Sequence, residues 1–226
     1  MKVTYYGHAC FGVVVGGKNL LFDPFISHNE LAKEVDIDVI PADYILLSHG
    51  HFDHVADVVT IANRTGAVVI AAYEIAEWFR KQGLSTHPMN PGGRYKFDFG
   101  SVKCTAAVHS SSLPDGSYGG IPMGFVIEHE AGAFYYAGDT ALTMDMKLIP
   151  LTCTKLDLAI LPIGDNFTMG IADAVMASDF VECNEVLGVH YDTFGWIVID
   201  HAAAVKQFAA NGKILTLLAI GENKEF

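Results

Sequence analysis

Hydrophobic and polar residues alternate over short distances at the start of the chain. This pattern predicts three short strands, at residues 3–6, 11–15 and 19–22, because alternation with a period of two places one face of a strand in the core. The dipeptide Gly16-Gly17 separates the second strand from the third, and two glycines between apolar runs favour a tight hairpin. The chain is therefore predicted to begin as an antiparallel sheet.

From residue 44 onward, predicted strands alternate with predicted helices. The apolar run 44–47 predicts a buried strand that leads directly into Ser48 and His49. Helical patterns cover residues 54–64, 73–82, 171–181 and 200–210. Further strands are predicted at 67–71, 95–99, 102–108, 123–129, 133–136, 158–161, 186–189 and 214–218, most of them bounded by Gly or Pro.

Two groups of strands, each associated with helices, predict two sheets that pack face to face and are covered on their outer sides by helices. The expected fold is α/β, a four-layer αββα sandwich. With 226 residues the chain is long enough to bury a core without disulfides. Since no linker or repeat is visible, we expect a single domain over residues 1–226.

Composition narrows the range of partners. The 14 Lys and Arg residues against 26 Asp and Glu give a formal charge of −12, which repels a polyanion, so we expect no extended nucleic acid. No apolar run approaches the ~20 residues that span a bilayer, and the start of the chain lacks the pattern of an export signal. We therefore expect no integral membrane association and a cytoplasmic location.

The four cysteines, Cys10, Cys104, Cys153 and Cys183, show no C-x-x-C spacing. That spacing is typical of zinc knuckles and redox pairs, and its absence predicts reduced thiols without either role.

Residues 49–54 read His-Gly-His-Phe-Asp-His and hold four metal-ligating side chains directly after a predicted strand. Imidazole and carboxylate groups suit Zn, Mn or Fe. His109, Asp139 and His190 also lie just past predicted strands, so all of these side chains can converge on one rim of the sandwich. The alternative is a histidine-rich surface loop, against which the three distant candidates argue.

These residues resemble the metallo-β-lactamase superfamily in the H-x-H-x-D-H run, a distal His109, the turn Gly138-Asp139-Thr140 and a last His190. Segments 6–9, 161–164, 168–170 and 190–194 are similar to one branch, the small metal-dependent hydrolases (UPF0173-like) related to ascorbate-6-phosphate lactonase and N-acyl-phosphatidylethanolamine phospholipase D. The resemblance extends from residue 1 to about residue 218.

The resemblance implies a site with two divalent metal ions. Its expected ligands are His49, His51 and His109 for one ion, Asp53, His54 and His190 for the other, and Asp139 as the bridge. A hydroxide between the ions would attack an ester, lactone or phosphoester bond of a small molecule. Zn is the expected metal, with Mn, Fe and Ni as alternatives. Asp53 is also a candidate catalytic base.

Five further residues are weaker candidates. His8 lies in an apolar stretch, where a core histidine is usual, but the resemblance favours a role beside the metals or the substrate, such as protonation of a leaving group. Asp23 is expected to orient a ligand histidine, with structural capping as the alternative. Thr168, Tyr191 and Thr193 are candidates for lining the mouth of the site.

Two other functions stay open at this point. One is a metal-dependent phosphodiesterase or nuclease on short nucleic acids, which the negative charge discourages. The other is a non-catalytic sensor that binds a metal or a ligand. The expected partner is a small-molecule substrate, anionic or not, and assembly as a homo-oligomer is left open.

Overall fold

The computed structural model describes residues 1–226, and its fourteen strands form two seven-stranded sheets. The first sheet contains β1 (Lys2–Gly7), β2 (Cys10–Val15), β3 (Lys18–Phe22), β4 (Tyr44–Leu46), β5 (Val68–Ala72), β6 (Thr86–Met89) and β14 (Asn223–Glu225). The second contains β7 (Arg94–Phe97), β8 (Gly100–Ala106), β9 (Met123–His129), β10 (Gly132–Tyr136), β11 (Leu158–Pro162), β12 (Glu185–Val189) and β13 (Ile214–Thr216).

Six α-helices connect the strands. They are α1 (Phe52–Val55), α2 (Val58–Thr65), α3 (Tyr73–Arg80), α4 (Ile149–Thr152), α5 (Ile171–Phe180) and α6 (His201–Ala210). Short 3₁₀ helices lie at Glu30–Ala32, Ile37–Val39 and Met144–Leu148. None of these helices has the length and hydropathy that crossing a bilayer requires.

Strand direction explains where a site can form. In the first sheet, β1 and β3 are both antiparallel to β2, and β3 is parallel to β4. In the second sheet, β8 and β10 are both antiparallel to β9, while β10, β11 and β12 are parallel. The strands β1, β3 and β4 therefore end at one edge of their sheet, and β8, β10 and β12 end at one edge of theirs.

The two sheets meet through large aromatic side chains. The Phe22 ring on β3 lies 6.2 Å from that of Phe125 and 5.8 Å from that of Phe134 in the other sheet. Phe11 on β2 stacks on Phe22 at 4.5 Å and contacts Tyr136 on β10 at 5.0 Å. All five rings are buried, and each such burial contributes on the order of 2 kcal/mol. This contact holds the middle of the sandwich together.

Helices cover the outer faces of both sheets. On the first sheet, Ile61 of α2 and Phe79 of α3 join the core that contains its strands. On the second sheet, Ala174 of α5 and Phe208 of α6 pack in a separate core with Tyr135 of β10. The layers follow the order helix, sheet, sheet, helix, which confirms the predicted αββα fold.

Several local predictions are also confirmed, and others change. Gly16 and Gly17 both have positive φ, 55° and 78°, which a tight hairpin between β2 and β3 requires. The predicted helix over residues 54–64 is broken into α1 and α2. Asp57 lies at the break, where its carboxylate accepts hydrogen bonds from the Ile26 and Ser27 backbone N–H groups at 2.6 and 3.0 Å. The edge strands β6 and β14 were not predicted.

Candidate metal centre

All seven predicted ligands lie at the rim where the strands of both sheets end. Strand β4 leads into the loop that carries His49, His51, Asp53 and His54, while β8 leads to His109, β10 to Asp139 and β12 to His190. Six of the seven fall into two groups whose ligand atoms lie within 4.8 Å of one another. One group is His49, His51 and His109, and the other is Asp53, His54 and His190 together with His8. The rim therefore brings together residues that lie far apart in the sequence.

The first group consists of three histidines. The His49 Nε2 atom lies 2.9 Å from His51 Nδ1, and the His109 ring lies 5.0 Å from that of His49 and 5.2 Å from that of His51. Three imidazoles thus converge on one point.

The second group consists of His54, His190, Asp53 and His8. The Asp53 Oδ2 atom lies 4.0 Å from His54 Nε2 and 3.1 Å from His8 Nε2. The rings of His54 and His190 lie nearly parallel, 5.8 Å apart. A carboxylate and two imidazoles are therefore available beside the first group.

Asp139 lies between the two groups. Its Oδ2 atom is 3.6 Å from His109 Nε2 of the first group, and 3.3 and 2.9 Å from His54 Nε2 and His190 Nε2 of the second. The preceding Gly138 has φ of 63°, and a Cβ there would lie 2.7 Å from Ser48 Cβ. The turn that carries Asp139 inward therefore requires glycine.

The protonation states of the first group suit metal binding. Burial lowers the pKa of His49 well below its usual value, and burial is also the main reason why the pKa values of His51 and His109 are lowered. These rings are therefore neutral near pH 7. A neutral imidazole is the form that ligates a metal.

The groups around Asp139 form an ion pair when no metal is bound. Burial raises the pKa of Asp139, but His190 and His54 outweigh burial and hold it well below the usual value. Burial lowers the pKa of His54, but Asp139 and Asp23 raise it well above 6.5. Metal binding at His54 Nε2 would require this proton to leave, because only the neutral imidazole ligates a metal.

Three buried atoms of the candidate ligand residues lack hydrogen-bond partners: His54 Nε2, Asp139 Oδ1 and His190 Nδ1. Nearly all buried polar atoms in proteins are paired, so unpaired atoms on these residues are consistent with a metal site. Five imidazoles and two carboxylates also form a donor set that suits divalent first-row metals. The residues present therefore fit a metal centre.

Asp23 hydrogen-bonds to one of the candidate ligands, His54, on the side of its ring that faces away from the centre. Its buried carboxylate accepts hydrogen bonds from His54 Nδ1 at 2.8 Å, Tyr136 OH at 2.6 Å, and both the backbone N–H and the hydroxyl of Ser48 at 2.8 and 2.5 Å. The bond to His54 Nδ1 leaves Nε2 directed at the centre. Asp23 thus makes the contact that orienting a ligand histidine requires.

His8 contacts Asp53 from the protein interior rather than from the cavity. The ring is buried, with Nε2 3.1 Å from Asp53 Oδ2 and Nδ1 3.0 Å from the Thr193 hydroxyl. Burial, reinforced by His190, lowers the pKa of His8 to about 4. Since an ionised carboxylate only accepts, Nε2 carries the proton and donates to Asp53, and Nδ1 accepts from Thr193.

A cavity of about 900 Å³ opens above the centre. Its floor contains the ligand residues His51, Asp53, His109, Asp139 and His190, and its remaining lining residues are Phe25, His28, Phe52, Ser110, Phe167, Phe194, Gly195 and Trp196. The ligands are therefore accessible to a small molecule.

The predicted mouth residues lie elsewhere than expected. Thr168 is half-buried and Tyr191 is buried against the Tyr5 ring, and neither lines the cavity. Thr193 lies behind His8. The residues that do line the mouth, such as Phe167 and Phe194, were not predicted, although each is adjacent to a residue that was. Adjacency to the motifs was the only sequence signal that pointed to them.

A buried cluster of His and Asp ligands at the rim of an αββα sandwich is characteristic of a metal-dependent enzyme of the metallo-β-lactamase class. The protein-family model for the beta-lactamase superfamily domain matches residues 18–191 of the chain. A UPF0173 metal-dependent hydrolase of Flavobacterium johnsoniae is 59% identical over 225 residues, with 100% of both chains covered. A second, of Christiangramia forsetii, is 57% identical over 226 residues, again with 100% of both chains covered.

The chain therefore belongs to the UPF0173 branch of metal-dependent hydrolases in the beta-lactamase superfamily. Among solved structures, Igni18, a metallo hydrolase from the archaeon Ignicoccus hospitalis, is similar with a TM-score of 0.89 and 33% identity, over 100% of this chain and 98% of that one.

Proposed function

We propose that the chain is a dinuclear metal-dependent hydrolase that cleaves an ester, lactone or phosphoester bond of a small molecule. The observation that carries this proposal is the position of Asp139, whose carboxylate lies within 3.6 Å of a histidine from each of the two ligand groups. A carboxylate so placed can bridge two ions.

In this proposal His49, His51 and His109 hold one ion, Asp53, His54 and His190 hold the second, and Asp139 contacts both. Zn is the expected metal, with Mn, Fe and Ni as alternatives, because His and carboxylate ligands accept all four. Two divalent ions held by these residues would supply Lewis acidity at the scissile bond and would lower the pKa of water from ~15.7 towards ~7.

Asp53 is placed to accept a proton from the attacking water. Its side chain is 27% exposed and lines the cavity. Burial raises its pKa, but the His8 hydrogen bond and the nearby His54 lower it well below the usual value, so the carboxylate is ionised. His8 does not line the cavity. We therefore propose that His8 is a positioning residue that fixes Asp53 rather than a donor to the leaving group.

Two alternatives have less support. A phosphodiesterase for short nucleic acids would need cationic contacts, but neither Lys nor Arg lines the cavity. A non-catalytic sensor would hold metal with the same residues, so turnover by the metal-loaded protein is what separates it from a hydrolase. A cytoplasmic location is also proposed, since all four cysteines are free and free thiols persist in reducing compartments.

The test compares wild-type protein with Asp139→Ala and with the control Asp173→Ala, which changes an exposed carboxylate on α5. Elemental analysis is expected to find about two metals per chain in wild type and control, and clearly fewer in Asp139→Ala. Zn- or Mn-loaded protein is then assayed on esters, lactones, phosphoesters and thioesters. Unchanged metal content in Asp139→Ala would remove the bridge from the proposal, and a two-metal protein that hydrolyses nothing would favour the sensor.

A further inference from the structure

Five aromatic side chains stand around the cavity above the ligand residues. We call them the aromatic wall: Phe25, Phe52, Phe167, Phe194 and Trp196. We propose that the substrate is an uncharged ester or lactone whose apolar body packs against the aromatic wall while its reacting bond lies at the floor. This inference rests on the proposed hydrolase function and names its substrate class.

The aromatic wall is exposed to solvent to an unusual degree. Trp196 is 76% exposed, Phe52 49% and Phe167 47%, although large apolar side chains are normally among the best buried. Phe167 and Trp196 stack on each other with ring centres 6.1 Å apart. An exposed apolar patch inside a cavity marks a surface that a ligand covers.

Three of the rings, Phe25, Phe52 and Phe194, form a contiguous surface that leads down towards the ligands. The buried Phe25 contacts Phe52 at 6.1 Å and Phe194 at 6.3 Å. Phe194 in turn lies 5.2 Å from the ring of His8, which binds Asp53. A ligand that lies along the wall therefore reaches the floor at the place where the candidate base lies.

The charges around the cavity argue against an anionic body. Its lining contains the carboxylates of Asp53 and Asp139 but neither Lys nor Arg, the side chains that usually recognise phosphate and carboxylate groups. The chain as a whole carries a formal charge of −12. Apart from the ions at the floor, which the reacting bond occupies, a phosphorylated or carboxylated body has no cationic partner.

The upper part of the wall is held in place before a ligand arrives. The Asp192 carboxylate accepts hydrogen bonds from the Ile199 N–H at 3.0 Å and from His201 Nε2 at 2.6 Å. Within the same loop, the Ile197 N–H donates to the Phe194 carbonyl at 3.0 Å. The loop that carries Phe194 and Trp196 is thus closed on itself, and such preorganised contacts lose little entropy when a ligand binds.

The length of the substrate's acyl chain tests whether the aromatic wall binds an apolar body. Complete burial of one methylene changes an equilibrium or a specificity constant by about fourfold, and partial burial by about twofold. From acetyl to octanoyl, which adds six methylenes, kcat/KM of the metal-loaded enzyme is therefore expected to rise at least about tenfold.

The first experiment measures kcat/KM for p-nitrophenyl acetate, butyrate, hexanoate and octanoate with Zn-loaded wild type, Trp196→Ala, Phe167→Ala and the control Trp78→Phe on α3. The rise with chain length is expected in wild type and control, and it should flatten in both wall variants. Turnover that is clear but independent of chain length would overturn the inference and leave the proposed function intact. Preference for a phosphorylated analogue of equal length would also overturn it.

The second experiment does not depend on turnover. In the Trp78→Phe protein, Trp196 is the remaining one of the two tryptophans, so its fluorescence reports on the wall. N-octylacetamide is expected to shift the emission to the blue and to bind at least about tenfold more tightly than octyl phosphate. Binding of the amide without hydrolysis of any ester would support the substrate class while the proposed function fails.

Two results of the fluorescence titration would overturn the substrate class. One is equal or tighter binding of octyl phosphate. The other is absence of a response to the amide in a protein that light scattering shows to be a dimer, because a second copy would then cover the rings.

Discussion

The substitution Asp23→Asn tests whether one buried carboxylate sets the orientation of a metal ligand. Asp23 is fully buried and accepts four hydrogen bonds, from His54, Tyr136 and two groups of Ser48. Asparagine keeps the size but offers one acceptor oxygen and brings an NH₂ group to face donors. At least two hydrogen bonds to a charged acceptor are lost, each worth about 1.5–3 kcal/mol. The expected cost is therefore about 3–6 kcal/mol of unfolding free energy.

The metal centre should respond separately from the fold. Without Asp23 the His54 ring is free to turn, and loss of such an outer partner typically weakens metal binding by about 10–100-fold. Zn²⁺ titration in competition with a chelator measures the affinity, and urea denaturation of the metal-free protein measures the stability.

Tyr136→Phe is the matched control for this substitution. It removes one donor from the same carboxylate but leaves the His54 bond in place, so we expect a loss of about 1 kcal/mol of stability and little change in metal affinity. Wild-type metal affinity in Asp23→Asn would refute the reasoning. Equal losses of affinity in both variants would show that Asp23 acts through the fold instead.

Two further predictions concern other parts of the chain. Burial raises the pKa of the Cys10 thiol well above its usual value, that of Cys104 to about 12 and that of Cys183 to about 11. Because the thiolate is the reactive form, all three should stay protonated and react slowly at pH 8, whereas the more exposed Cys153 reacts first. A chromogenic disulfide should detect one fast thiol in the native protein and none in Cys153→Ser, and two fast thiols in wild type would contradict this. His201→Ala should loosen the loop that carries part of the aromatic wall and raise KM for an apolar ester several-fold at unchanged metal content, and a parallel loss of metal would place the effect at the centre instead.

The two strands that were missed lack the hydrophobic pattern that most of the predicted strands show. Strand β11 is buried at every position, and in β1 buried positions alternate with more exposed ones, so their patterns are visible along the chain. Strand β6 contains Pro88 and pairs only with β5, and β14 is polar and pairs only with β1. An edge strand is held mainly by backbone hydrogen bonds to a distant neighbour, and these leave no hydrophobic pattern in the sequence.

In the site, too, some residues could be recognised from the sequence alone and others depended on how distant segments fold together. The candidate ligands could be singled out in the sequence because His and Asp at strand ends carry their chemistry in their residue type. The aromatic wall could not be predicted, because single aromatic residues in loops have no periodicity. The direction in which their side chains point depends on backbone turns. Asp165 and Asn166 both have left-handed backbone, with φ of 62° and 51°, and these turns precede Phe167 at the cavity and Thr168 outside it.

The rim also concentrates backbone strain, which links the fold to the metal centre. His8, Asp23 and His190 have φ of 53°, 40° and 57°, and such left-handed conformations cost about 1–2 kcal/mol each for residues other than glycine. All three follow directly after strands β1, β3 and β12. The His190 backbone N–H donates to the His8 carbonyl at 2.8 Å and so joins the two sheets at the rim. Each strained turn is therefore stabilised by a contact with another loop of the site. Since His54 follows a strand of the first sheet and His190 follows a strand of the second, the candidate ligands can reach one centre only when both sheets are folded and packed together.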